Sequence, residues 1–191
     1  KLKKGSCFSF QLTLKVSNSQ LNTEPMMSFP LLESLYHKSA MIIGCNADMG
    51  GILNSYLSKL DFKTNQVTDL KESLLKINPD NTNTINPDFL FINKAPEEDI
   101  DIYLKAISTI RHEYKLNTPI LLLVDLAERQ SLSQLKTTDI SYILEKPVTL
   151  MDIYISLMSV SGLERLLPKR NLYDHQEQQT EISRLSTRKL L

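Results

Sequence analysis

Asp88-Phe89-Leu90-Phe91-Ile92-Asn93 is the stretch that decides the fold. Four consecutive apolar residues stand between Pro87-Asp88 and Asn93, a length that suits a strand and is too short for a helix. A strand apolar on both faces must be covered on both, which calls for helices on either side of a parallel sheet. Downstream, Ile100, Leu104, Ile107 and Ile110 trace one face of a helix. A second apolar run follows at 119–124, five residues after its opening proline, and a third at 140–144. A short helix is expected over 129–136, and Thr149 is placed to N-cap a helix carrying Leu150, Ile153, Leu157, Val160 and Leu163.

Upstream the same rhythm holds. Ala40-Met41-Ile42-Ile43 reads as a strand, and Ile52, Leu53, Tyr56, Leu57 and Leu60 fall on one helical face. A weaker strand spans 62–67, and Leu70, Leu74 and Leu75 mark a helix ended by Asn78-Pro79. Strand and helix thus alternate five times. The expected fold class is α/β: a flavodoxin-like, doubly wound, five-stranded parallel sheet of order 2-1-3-4-5 with helices on both faces. In that architecture the functional crevice lies at the carboxyl ends of strands 1, 3 and 4.

Composition bounds the rest. At 191 residues the chain has room for one ordinary domain plus flanks. Twenty-two Lys and Arg balance 22 Asp and Glu, which argues against nucleic acid as a partner because clustered positive charge would have to supply the affinity. No apolar run approaches a bilayer span, so no direct membrane contact is expected. Cys7 and Cys45 lie far apart, without metal-ligand spacing, and suit a reduced, cytoplasmic setting. His37, His112 and His175 are scattered and form no catalytic or metal pattern. Glycines 44, 50 and 51 lack the spacing of a phosphate-binding loop and read as a turn and helix start.

The crevice rule selects Gly44, Cys45 and Asn46 after strand 1, Asn93 after strand 3, Val124 and Asp125 after strand 4, and Lys146-Pro147 after strand 5. Here the sequence resembles a known family. Asp88-Phe89-Leu90-Phe91-Ile92-Asn93-Lys94-Ala95-Pro96 is similar to the third-strand motif of response-regulator receiver domains, and Tyr142-Ile143-Leu144-Glu145-Lys146-Pro147 to their fifth-strand ending. The resemblance implies a phosphoacceptor Asp where Asn93 stands, metal-holding acidic residues where Gly44 and Cys45 stand, and a switch hydroxyl where Val124 stands. The aromatic switch position holds Ile143, and of the family's site only Lys146 with Pro147 remains.

Each departure has a chemical consequence. An amide is a poor nucleophile where an acyl phosphate needs a carboxylate, and neither Gly44 nor Cys45 offers Mg²⁺ a hard oxygen from its side chain. The expectation is a pseudo-receiver with no catalytic residue, no cofactor and lost Mg²⁺ binding, its degenerate pocket made of Asn93, Lys146, Gly44, Cys45, Val124 and Asp125. Asp125 and Lys146 are expected to pair across the empty pocket, and Cys45 to be a buried, inert thiol.

The flanks extend the resemblance. Residues 5–14 are similar to the closing strand of histidine-kinase ATP-binding domains. The expected organisation is a terminal kinase strand at 1–16, a linker at 17–38, the pseudo-receiver at 39–167, and at 168–191 a linker leading toward a further receiver. With no initiator Met, the chain is expected to be part of a hybrid sensor histidine kinase. Its function would be regulation by docking against the kinase core or an adjacent receiver, or as a homodimer, through the helix 4–strand 5–helix 5 face. Two other readings stay open: a receiver still phosphorylated on a displaced carboxylate such as Asp125, and a flavodoxin-like cofactor binder. The second lacks an anion cradle in the loops after strands 1 and 3.

Overall fold

The computed structural model describes residues 9–13, 33–134 and 138–166. Two compact units divide the chain, Lys1–Pro30 and Leu31–Leu191. In the first, residues 9–13 form no strand ladder, and Phe10 and Leu12 are exposed. The rest of the kinase-like strand at 1–16 lies outside the described residues, as does the segment 168–191.

The described residues of the second unit hold five parallel strands: β1 (Ser39–Ile43), β2 (Lys63–Val67), β3 (Phe89–Asn93), β4 (Ile120–Val124) and β5 (Tyr142–Glu145). They lie in the order β2-β1-β3-β4-β5, the doubly wound, flavodoxin-like arrangement the sequence rhythm calls for. Every residue of β3 and β4 is buried, as expected of strands covered on both faces. On one face Met41, Ile43, Leu90, Ile92, Leu122 and Val124 form a single core with Tyr103, Ile107 and Leu132.

Among the described residues four α-helices connect the strands, α1 (Ala47–Lys59), α2 (Leu70–Ile77), α3 (Ile100–Ser108) and α4 (Leu126–Gln134), and a fifth, α5 (Leu150–Val160), follows β5. Their starts are set by local chemistry. The side chains of Asn46, Asp69 and Asp99 accept backbone N–H groups from the first turns of α1, α2 and α3. Thr149 and Asp152 cap α5 reciprocally, as a capping box. At the end of α1, Asp61 takes a left-handed φ of 60° while its N–H bonds the Ser58 carbonyl and that of Phe62 bonds Leu57. This is a Schellman termination built without glycine.

Several boundaries differ from expectation. The fourth helix begins at Leu126, three residues before the expected 129, because Asp125 and Glu128 cap it. The fifth strand runs Tyr142–Glu145, two residues beyond the start of the expected 140–144, since Ser141 instead uses its hydroxyl to accept the Ile120 N–H. Ile52 and Leu75, assigned to apolar helix faces, are exposed. Within the segment read as a linker, Glu33–Leu35 forms a 3-10 turn that buries Leu35.

Candidate functional site

Strand register builds the crevice. Ile43 pairs with Ile92, Asn93 with Leu123, and Val124 with Glu145, so the carboxyl ends of β1, β3, β4 and β5 come level. Gly44, Asn93, Asp125 and Lys146 therefore emerge side by side at one edge of the sheet.

Gly44 and Asn93 close on each other. The Asn93 side-chain amide donates to the Gly44 carbonyl at 2.9 Å. Gly44 adopts φ +75°, and a Cβ there would stand 2.6 Å from the Asn93 carbonyl oxygen, so the position requires glycine on two counts. Asn93 is 7% exposed, and its Oδ1 is buried without a hydrogen-bond partner among the described residues. Cys45, next after Gly44 in the chain, is buried, and burial pushes its thiol up to about 11, with the charge of Lys146 pulling the other way. A thiol so placed is a packed apolar group at neutral pH, as expected.

Lys146 reaches back across β4. Its ammonium donates to the Lys94 carbonyl and lies 4.0 Å from Asp125 Oδ1. The expected Asp125–Lys146 pair thus forms at the limit of ion-pair range, with the Asp125 side chain 44% exposed, and it is a minor contact. Val124 is buried and offers no hydroxyl, and Ile143, at the aromatic switch position, packs partly buried against the core.

The contacts that fill the crevice were not among those expected. Lys94, directly after Asn93, is 3% exposed, and its ammonium pairs with Glu128 in the first turn of α4 while donating to the Pro96 carbonyl at 3.3 Å. Glu128 uses its second oxygen to accept the Asp125 N–H at 3.3 Å. The β3–α3 loop is pinned again by Tyr103, a buried residue of α3. Its hydroxyl accepts the Ala95 N–H at 3.1 Å and donates to the Glu98 carboxylate. Burial, reinforced by that carboxylate, pushes the Tyr103 hydroxyl up to about 12, so it stays a donor. One signal for this cluster was present in the sequence: Asp125 followed three residues later by Glu128 is the spacing of an N-terminal helix cap. The burial of Lys94 had no local signal.

The remaining titratable pairs lie elsewhere. His37 meets Asp61 and His112 meets Asp139, both with exposed imidazoles, while His175 lies outside the described residues. No three His, Cys, Asp or Glu side chains converge among the described residues. No helix there is long and apolar enough to cross a membrane.

No protein-family profile matches the sequence, and no curated protein matches it. Solved structures do. The receiver domain of the sensor histidine kinase PA1611 from Pseudomonas aeruginosa PAO1, solved with magnesium in its active-site cleft, superposes with a TM-score of 0.51 at 15% identity, over 65% of this chain and 98% of its own. The chemotaxis response regulator CheY4 of Vibrio cholerae gives 0.53 at 15%, over 65% and 98%. A sensor protein from Polaromonas sp. JS666 gives 0.51 at 17%, over 66% and 98%. The body of this chain therefore has the receiver fold of two-component signalling proteins.

Proposed function

We propose that this chain is a receiver-like module that accepts no phosphoryl group and regulates by docking within a hybrid histidine kinase. The observation that carries the reading is Asn93. An amide stands where receivers place the nucleophilic carboxylate, and it is engaged with the Gly44 carbonyl. A carboxamide shares its nitrogen lone pair with the carbonyl and forms no acyl phosphate.

The donor set also fails to fit magnesium. Mg²⁺ wants about six hard oxygens in an octahedron, usually with carboxylate charge among them. The side chains of Gly44 and Cys45 bring none, the Gly44 carbonyl is engaged by Asn93, Glu128 is committed to Lys94, and the Lys146 ammonium lies at the crevice. A divalent cation would have to break the Lys94–Glu128 pair to gain that carboxylate. Docking is the function left to a framework kept without its chemistry, and the α4–β5–α5 face is the candidate surface. The histidine-kinase context rests on the resemblance at residues 5–14.

Incubation with a small-molecule phosphodonor and Mg²⁺, read by intact mass, tests the reading. Unchanged mass is the expected result. A second reading is favoured by one observation, the exposed Asp125 carboxylate beside Lys146. Under it the chain gains one phosphoryl group, and Asp125→Asn abolishes the gain.

A further inference from the structure

The pair of buried Lys94 with Glu128 lies at the crevice and serves no phosphoryl chemistry there. Lys94 leaves β3 and Glu128 lies in the first turn of α4, so the pair joins two elements that no backbone ladder connects directly. Around it, contacts run in series. The Lys94 N–H bonds the Leu123 carbonyl at 3.0 Å, Lys146 donates to the Lys94 carbonyl, and Glu128 takes the Asp125 N–H. The Glu128 and Arg129 N–H groups bond the Asp125 carbonyl at 3.0 and 3.1 Å, completing the first turn of α4. Arg129 then reaches Glu145 of β5 at 2.6 Å.

We propose that the Lys94–Glu128 ion pair is a permanent latch that holds the start of α4 against the β3–α3 loop, fixing the crevice edge in one docking conformation without phosphate or metal. The proposal rests on the reading above as a docking module and adds how its surface is held. A lysine removed from water must keep its counter-charge close, because separation would leave an uncompensated buried charge. The pair is therefore shut in the ground state and shielded from screening by salt. It sets the position of Leu126, the first residue of α4, whose apolar side chain is half-exposed. It also sets Arg129 and hence the α4–β5 side of the sheet.

Hydrogen exchange of the whole chain, resolved by residue, tests the latch in wild type, Lys94→Met and Glu128→Gln. Glu128→Gln keeps the side chain's shape and its acceptor for the Asp125 N–H while removing the charge. Both variants are expected to speed exchange of the amides at 125–130 by roughly tenfold, because a local opening no longer has to break the pair. Amides in the first turns of α1 and α5, capped by Asn46 and Thr149, are expected to be unchanged. Unchanged exchange at 125–130 in Glu128→Gln would overturn the latch, and a failure of Lys94→Met to fold leaves that decision to Glu128→Gln alone. The two readings fail separately. A phosphorylated wild type whose α4 still loosens in Glu128→Gln would remove the unphosphorylated role and keep the latch.

Discussion

The Lys94–Glu128 pair predicts an asymmetry between its two partners. Lys94 is 3% exposed, while Glu128 keeps about a quarter of its side chain in water. In Glu128→Ala the ammonium stays buried with the Pro96 carbonyl as its remaining acceptor, a situation that costs about 3–5 kcal/mol. In Lys94→Met the thioether fills similar volume and Glu128 turns outward to solvent, so the loss stays under about 1 kcal/mol. The double variant should resemble Lys94→Met, because no buried charge is left behind. The cycle then yields a coupling of about 3–5 kcal/mol, the whole of the Glu128→Ala loss. Urea unfolding is the assay. With a slope of about 2 kcal/mol/M, Glu128→Ala lowers the midpoint by roughly 1.5–2.5 M and the other two variants by under about 0.5 M. Equal, small losses in the two single variants would refute the argument, since they would mean that Lys94 is not held buried against Glu128.

Three further outcomes follow from the same geometry. Gly44→Ala forces a Cβ to 2.6 Å from the Asn93 carbonyl at φ +75°, and it should cost about 2 kcal/mol or more by thermal unfolding. Cys45 is held neutral by burial, its pKa raised from 9.0 to about 11, so its contribution is fully present below pH 9 and is lost as pH climbs toward 11. The stability of wild type relative to Cys45→Ala should therefore fall by about 2–3 kcal/mol between about pH 8 and about pH 11. Thr149→Ala removes one half of the capping box of α5 and should cost about 1 kcal/mol by urea unfolding, with Thr149→Ser restoring most of it.

The fold was legible where burial is uniform. The four apolar residues 89–92 and the run at 120–124 admit only strands covered on both sides, and the capped helix after Thr149 announces its own start. Edges were less clear. Strand β2 is mostly exposed and polar, so its apolar pattern is weak, and β5 starts late because Ser141 spends its side chain on Ile120. At the site, the sequence identified what the crevice lacks: the amide at Asn93, the glycine and thiol at 44 and 45, the aliphatic Val124. It did not show what fills the space. A lysine directly after a strand is ordinarily solvated, and the burial of Lys94 depends on Glu128, thirty-four residues later, which becomes a neighbour only once β4 has been laid beside β3. The expected Asp125–Lys146 pair was drawn from topology alone. Lys146 prefers the Lys94 carbonyl because that acceptor is buried and fixed, whereas Asp125 faces water.

The most direct test follows backbone amide NMR signals of Gly44, Cys45, Asn93, Lys94 and Lys146 during titration with MgCl₂ into the millimolar range, with NaCl at matched ionic strength as control. A crevice filled by its own lysines and closed by an amide predicts the same small, linear drift in both salts. A saturable shift of those five signals in magnesium alone would contradict it.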